Sequence, residues 1–272
     1  MTSLLQTIVD PRALSVCFQP IFEIRDGVRL IDSVEALIRG PRSTKFNRAD
    51  ILFDYVRRKR AEAVVDRSCV VAICDAAQLL PSHMRVNINV HAVTLDHRSG
   101  FVEFFKRHTK ERSLKLERFT LEIVEHAPTS NVPQLIDSLV ALRDSGVRIA
   151  LDDVGLGQSN YRMMLDCHPQ YFKLDAYFVR GVAQDAKRIA VVRSLVALAG
   201  TLESTVVAEG ASSEDDLSRL AELGVTFMQA NILCPAMPLE ELQRLGHLEG
   251  AQASPTPSGP AIGMGMCVVA QP

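Results

Sequence analysis

The residues of this chain best suited to chemistry are acidic and amide side chains that close, or sit within, short apolar runs. Glu35 follows Leu30-Ile31-Asp32-Ser33-Val34, and Asn87 lies in Arg85-Val86-Asn87-Ile88-Asn89. Glu122 and Glu125 fall in residues 119–125, and Asp152 and Asp153 follow Ile149-Ala150-Leu151. Lys173 stands in Tyr171-Phe172-Lys173-Leu174-Asp175, Glu209 follows Val206-Val207-Ala208, and Gln229 ends Phe227-Met228-Gln229. Any one of these reads as the first polar residue of a loop; their recurrence on successive runs does not. Five carboxylates gathered with one lysine are costly unless cations neutralise them. Oxygen ligands without Cys or His suit Mg2+ or Mn2+ rather than zinc, and this set is large enough for two ions. Such a pair of ions favours phosphoester chemistry, with Lys173 orienting a hydroxide or neutralising charge. The residues alone do not name the ester.

For these side chains to meet, the runs must be neighbouring strands. Eight candidates rich in Val, Ile and Phe occupy residues 16–24, 30–38, 85–90, 119–124, 148–151, 171–174, 205–208 and 226–232. Helical spacing fills most of the intervals, at 49–80 (two helices), 101–109, 132–145, 187–202 and 214–223. Leu135, Leu139 and Leu142 recur on one face, Ser213 with Asp216 makes a capping-box-like start, and Gly146 and Gly224 stand at helix stops. The alternation predicts an α/β fold, an irregular (β/α)8 TIM-type barrel whose first two strands form an antiparallel pair, because residues 23–29 are too few for a crossover helix. An open doubly wound sheet is the competing architecture. Residues 250–272 are rich in Pro, Gly, Ser and Ala and are expected to be a flexible tail on a barrel domain of residues 1–249.

Composition narrows the function further. The 272 residues are 47% hydrophobic and 23% charged, which is globular composition. A net charge of −2 lacks the basic footprint of a DNA- or RNA-binding protein. Apolar stretches of about eight residues fall short of a membrane span, and no charged-then-apolar leader follows Met1, so a cytoplasmic protein is expected. The six cysteines form no C-x-x-C, and the Cys167-His168 neighbours read better as packed, reduced residues than as a metal site. Arg57-Arg58-Lys59-Arg60 is the one basic run, read first as a solvated helix face.

The ordered set of residues resembles the EAL-domain family of cyclic di-GMP phosphodiesterases. Val34-Glu35-Ala36-Leu37-Ile38-Arg39 is similar to the family's E-x-L-x-R, and Gln19-Pro20-Ile21 to its Q-P-I. Val86-Asn87-Ile88, Glu122 with Glu125, Asp152-Asp153-Val154-Gly155, Lys173-Leu174-Asp175, Glu209-Gly210 and Gln229 are similar to the later motifs, so the likeness spans residues 14–240. It implies that Glu35, Asn87, Glu122 and Asp152 hold one metal, Mg2+ or Mn2+, and that Asp152 with Asp153 holds a second. Lys173, Glu209 and Gln229 would complete the metal and water shell, with Glu35, Asp153, Lys173 and Glu209 the catalytic group. Gln19, Arg39, Asp175 and Gln229 would meet the substrate, and Glu125 would brace the loop after Asp153. The implied reaction is attack by hydroxide on one phosphodiester of cyclic di-GMP, giving linear pGpG, in a homodimer open to a regulatory protein partner. With only residues 1–13 before the first strand, no attached sensory domain is expected.

The chain departs from the family pattern mostly beside the expected ligands. Residues 152–160 keep both glycines of D-D-F-G-T-G-Y-S-S but not its Phe, Thr and Tyr; Ser212 replaces the last carboxylate of E-G-V-E; and Ala230-Asn231 replaces the Gly-Tyr of Q-G-Y. Residues 41–60 are short and basic. These departures raise an alternative, a weak or inactive EAL module that serves as a cyclic di-GMP receptor or protein-interaction domain, against which the full ligand set argues. A third, an enolising barrel enzyme with a lysine base, fits the carboxylates but not the Q-P-I and E-A-L-x-R context.

Overall fold

The structure, a computed structural model, describes residues 4–42, 44–96, 99–124, 132–156, 161–244 and 268–269. After a short helix α1 (Leu4–Ile8), β1 (Ser15–Arg25) and β2 (Val28–Arg39) form an antiparallel hairpin that turns at Asp26-Gly27. Then follow α2 (Ala49–Arg58), α3 (Glu62–Ala77), β3 (Arg85–His91), α4 (Phe101–Glu111), β4 (Phe119–Val124), α5 (Val132–Arg143), β5 (Arg148–Val154) and α6 (Tyr161–Cys167). The chain continues through β6 (Tyr171–Leu174), α7 (Ala176–Val179), α8 (Ala186–Thr201), β7 (Thr205–Glu209), α9 (Glu214–Glu222), β8 (Phe227–Gln229), β9 (Met237–Pro238) and α10 (Leu239–Arg244). Strands β2 to β8 lie side by side and parallel, and β1 closes the ring by pairing antiparallel with both β2 and β8. The expected barrel forms, with its irregularity where the short 23–29 interval placed it, and the open sheet is excluded. Strand β10 (Val268–Val269) pairs in parallel with Leu30 and Ile31.

Burial explains the pattern of the strands. Val86, Ile88 and Val90 of β3 and Phe119, Leu121 and Ile123 of β4 are buried against the helices, while Asn87, Asn89, Thr120 and Glu122 alternate onto the barrel interior. Leu135, Leu139 and Leu142 are fully buried, as their spacing predicts. Gly146 and Gly224 take φ of +93° and +89° at the helix stops. Ser213 caps α9 by accepting from the Asp216 N–H. The reciprocal half of a capping box does not form: the buried Asp216 carboxylate accepts instead from the backbone N–H groups of Gly181, Ala183 and Ser212.

Two strand ends differ from the sequence reading. Strand β5 runs on to Val154 through a register shift between Leu151 and Val154, which places Asp152 and Asp153 inside a bulge rather than after the strand. The last strand stops at Gln229, not residue 232, because the chain turns there and the N–H groups of Leu233 and Cys234 both reach the Ala230 carbonyl. Cys17, Cys69 and Cys74 are free, and burial pushes the Cys74 thiol up to about 12, so it is an unreactive packing group. Among the described residues no helix is long and apolar enough to cross a membrane.

Candidate active site

Register brings the polar residues together at the carboxyl ends of the strands. Gln19 faces Glu35 across β1 and β2, Glu35 faces Asn87, Asn89 faces Glu122, and Glu209 faces Gln229. Since side chains on neighbouring strands in register share a face, these pairs point to one rim. The Asn87 amide donates to Glu122 Oε1 at 2.7 Å and the Asn89 amide to Glu35 Oε1 at 2.6 Å. Gln229 Nε2 donates to Glu35 Oε2 at 2.6 Å and contacts Gln19 Oε1 at 3.2 Å. Gln19 in turn donates to Asn231 Oδ1 at 3.2 Å, so a run of amides links Glu35 to the mouth of the barrel.

Lys173 stands at the centre. Its side chain is 2% exposed, and Nζ lies 2.6 Å from Glu122 Oε2, 2.6 Å from Glu209 Oε1, 3.5 Å from Asp152 Oδ1 and 3.6 Å from Glu35 Oε2. Burial by itself would favour the neutral amine, but the carboxylates outweigh it and hold the ammonium well above its usual range. The ammonium is the cation of this cluster, an arrangement that favours charge neutralisation over the lysine-base reading. One ammonium does not balance its neighbours. Burial, reinforced by Glu35, Asp152 and Glu209, pushes Glu122 well above the usual carboxylate range despite Lys173. Burial with Asp152 and Glu35 raises Glu209 to about 8, again against the lysine. Glu35 moves the other way: burial is overcome by Lys173 and by the Gln229 and Asn89 amides, which keep it ionised.

The bulge in β5 sets the remaining acids. Asp153 has φ of +51°, and burial together with Asp152 and Asp175 raises its carboxyl to about 6. The loop past the bulge passes so close to α7 that a Cβ on Gly155 (φ +99°) would lie 2.6 Å from the Phe178 ring. At the end of β7, a Cβ on Gly210 (φ +70°) would lie 2.7 Å from Ala176 Cβ. Both turns need glycine for conformation and for space.

Above the cluster opens a cavity of about 520 Å3, lined by Gln19, Glu35, Asp152, Lys173, Glu209 and Gln229 with Arg180, Ser212, Asn231 and Ile232 at its mouth. Thus the structure brings together Gln19, Glu35, Asn87, Glu122, Asp152, Lys173, Glu209 and Gln229, with Asp153 beside them. Arg39 and Asp175 are not among the residues lining the cavity: Arg39 donates to the Ile38 carbonyl, and Asp175 caps α7 through the Tyr177 N–H. Glu125 lies outside the described residues. Two members escaped the sequence reading. Asn89 sits two residues from Asn87 on the same face, a spacing that could have revealed it. Arg180 lines the cavity mouth from beyond α7, where no motif marks it.

A hard divalent ion fits this donor set. The donors are all oxygen, and among the described residues Asn87 Oδ1 and Gln229 Oε1 are buried without hydrogen-bond partners. Carboxylates driven toward protonation by their neighbours would regain their charge beside a cation. Among the described residues no three of His, Cys, Asp or Glu already converge as ion ligands; the carboxylates surround the ammonium instead.

Comparison with known proteins places this site in a family. The sequence model described as "EAL domain" matches residues 2–236. The chain is 32% identical over 110 residues to the cyclic di-GMP phosphodiesterase TpdA of Vibrio parahaemolyticus, covering 40% of this chain and 19% of that protein. It is 25% identical over 237 residues to the cyclic di-GMP phosphodiesterase NbdA of Pseudomonas aeruginosa, covering 85% of this chain and 30% of that protein. The chain therefore spans less than a third of the length of these relatives. Among solved structures, the PaMucR phosphodiesterase in complex with c-di-GMP superposes with a TM-score of 0.75 at 25% identity, covering 85% of this chain and 100% of that one.

Proposed function

The chain belongs to the EAL domain family, and we propose that it hydrolyses cyclic di-GMP to linear pGpG in a reaction that depends on Mg2+ or Mn2+. The observation that carries this reading is the ring of buried and half-buried carboxylates around Lys173 at the carboxyl end of a closed barrel, below a cavity of about 520 Å3. Glu35, Glu122, Asp152, Asp153 and Glu209 with Lys173 carry a formal charge of −4, which two divalent ions balance. Glu35, Asn87, Glu122, Asp152 and Asp153 are the residues that would hold them. Bound there, the ions supply Lewis acidity and a deprotonated nucleophile.

The protein groups do the rest. Lys173 keeps its proton and fixes Glu122 and Glu209 by direct ion pairs. Gln229 and Asn89 hold both oxygens of Glu35, so its orientation is set before substrate arrives. Gln19, at the wall of the cavity, offers an amide to the dinucleotide, and Arg180 on the cavity lining, with Arg39 at the end of β2, supplies guanidinium forks suited to a phosphate. In the reaction a bond forms between a water oxygen and phosphorus while the bond from phosphorus to the ribose 3′-oxygen breaks. The water proton passes to a carboxylate, and a proton returns to the leaving oxygen. Glu209, which lines the cavity and lies 2.6 Å from Lys173 Nζ, is placed for that transfer.

A second reading, a cyclic di-GMP receptor without turnover, has one observation in its favour: the carboxylates enclose the lysine rather than an ion-sized position. The test is chromatographic. Protein incubated with cyclic di-GMP and Mg2+ or Mn2+ yields pGpG, and Glu35→Ala yields none. Ligand binding without product in either ion supports the receptor instead.

The same proposal includes assembly and context. Tyr161 and Leu165 on α6 and Tyr177 on α7 are 70%, 56% and 63% exposed, which supports a homodimer or a regulatory protein partner on this side. Free cysteines support a cytoplasmic setting. Composition supports residues 250–272 as a flexible tail on a barrel of residues 1–249, and its described residues Val268 and Val269 pair with β2.

A further inference from the structure

The active-site face poses an electrostatic problem for a cyclic dinucleotide, which carries two negative phosphodiesters. The ligand must approach a rim of carboxylates on a chain of net charge −2. One segment of the chain has the opposite sign. Residues 41–60 contain seven basic and two acidic side chains, a net +5, so the rest of the chain carries −7. The two acids are already engaged: Asp50 pairs with Arg48 at 2.6 Å and Asp54 with Arg58 at 2.7 Å. Arg42, Lys45, Lys59 and Arg60 remain exposed, with no carboxylate within 4 Å among the described residues.

Packing puts this segment on the site's side of the barrel. Gly40 immediately follows the last residue of β2, its carbonyl accepts from the Asn47 amide at 3.1 Å, and a Cβ on Gly40 would lie 2.2 Å from the Phe46 carbonyl oxygen. Residues 45–47 are therefore pressed onto the strand end that carries Glu35. The Phe53 ring of α2 lies 5.8 Å from the ring of His91, the last residue of β3, the strand that carries Asn87 and Asn89. The basic segment thus forms a lip over the carboxyl ends of β2 and β3. None of its described side chains lines the cavity.

We propose that this lip is an electrostatic collector that speeds the association of the dianionic dinucleotide without contacting it in the bound state. The proposal rests on the substrate assigned above. A field of this kind raises encounter rates and fades as salt shortens its reach, from about 30 Å at 0.01 M to about 8 Å at 0.15 M. Cations that do not touch the bound ligand leave its dissociation rate unchanged.

Stopped-flow binding of a fluorescent phosphorothioate analogue of cyclic di-GMP, with Mg2+ present, tests the idea at about 10 and 150 mM salt. For the intact protein the association rate is expected to fall roughly tenfold over that range. The R42Q/K45Q/K59Q/R60Q variant should associate about five- to tenfold more slowly at the lower salt, nearly match the intact protein at the higher, and keep its dissociation rate. An unchanged association rate in the variant, a salt-independent rate in the intact protein, or a loss expressed as faster dissociation overturns the collector while leaving the substrate assignment intact. Failure of the intact protein to bind the analogue at either salt overturns both.

Discussion

At the scale of single residues, the site is a charge problem solved by one lysine and a set of amides. Lys173→Met removes the cation that lies within 4 Å of Glu35, Glu122, Asp152 and Glu209. Stripping one partner from such a buried cluster costs about 3–5 kcal/mol. Thermal unfolding in EDTA should show that loss, and saturating Mg2+ should restore part of it; an unchanged Tm would mean the lysine neutralises nothing. Asn89→Ala frees Glu35 Oε1 while leaving the other ligands in place. Loss of such a supporting hydrogen bond is expected to weaken divalent-ion affinity roughly tenfold to a hundredfold, read by calorimetric titration. The carboxylates were legible in the sequence because each ends or interrupts an apolar run. Asn89 was only half legible: its spacing from Asn87 puts it on the same face, but its role appears only once its partner Glu35 is seen across the sheet.

At the scale of elements, the turns after the strands decide whether the rim keeps its shape. Gly210→Ala forces a side chain into a φ of +70° and against Ala176. The backbone strain alone costs about 1–3 kcal/mol, so Tm should fall and activity should drop with it; a neutral outcome would show that the β7 and β6 ends can part freely. Behind the rim, buried Asp66 on α3 accepts from the His91 ring and backbone N–H and from the Thr94 hydroxyl, tying the end of β3 to the helix. Burial opposes the charged imidazole, but the hydrogen bond and charge of Asp66 prevail and raise its pKa above 6.5. A raised histidine pKa adds stability that is complete below the unfolded value and disappears as pH climbs through the folded one. The Tm difference between the intact protein and His91→Gln should therefore be larger at about pH 6 than at about pH 9; an equal gap would show that Asp66 does not raise the His91 pKa on folding. Helix and strand positions followed from periodicity, whereas the β5 bulge did not. A register shift depends on the neighbouring strand, and the run Leu151-Asp152-Asp153-Val154 reads equally as a strand end followed by a turn.

At the scale of the whole molecule, the barrel gathers more negative charge at one end than its own cations neutralise, so ion binding and folding should be linked. Divalent ion at about a hundredfold excess over its Kd stabilises by about 2.7 kcal/mol. For a chain of this size that is a rise of roughly 5–10 °C in Tm. The most direct measurement is a Mn2+ titration followed by the electron paramagnetic resonance signal of the free ion, with pGpG formation monitored in the same samples. About two ions should disappear from solution per chain, product should rise with their binding, and Glu122→Gln should diminish both. Retention of the full free-ion signal by the intact protein, or ions bound equally by Glu122→Gln with no linear product, would contradict the assignment of this carboxylate ring as a divalent-ion phosphodiesterase site.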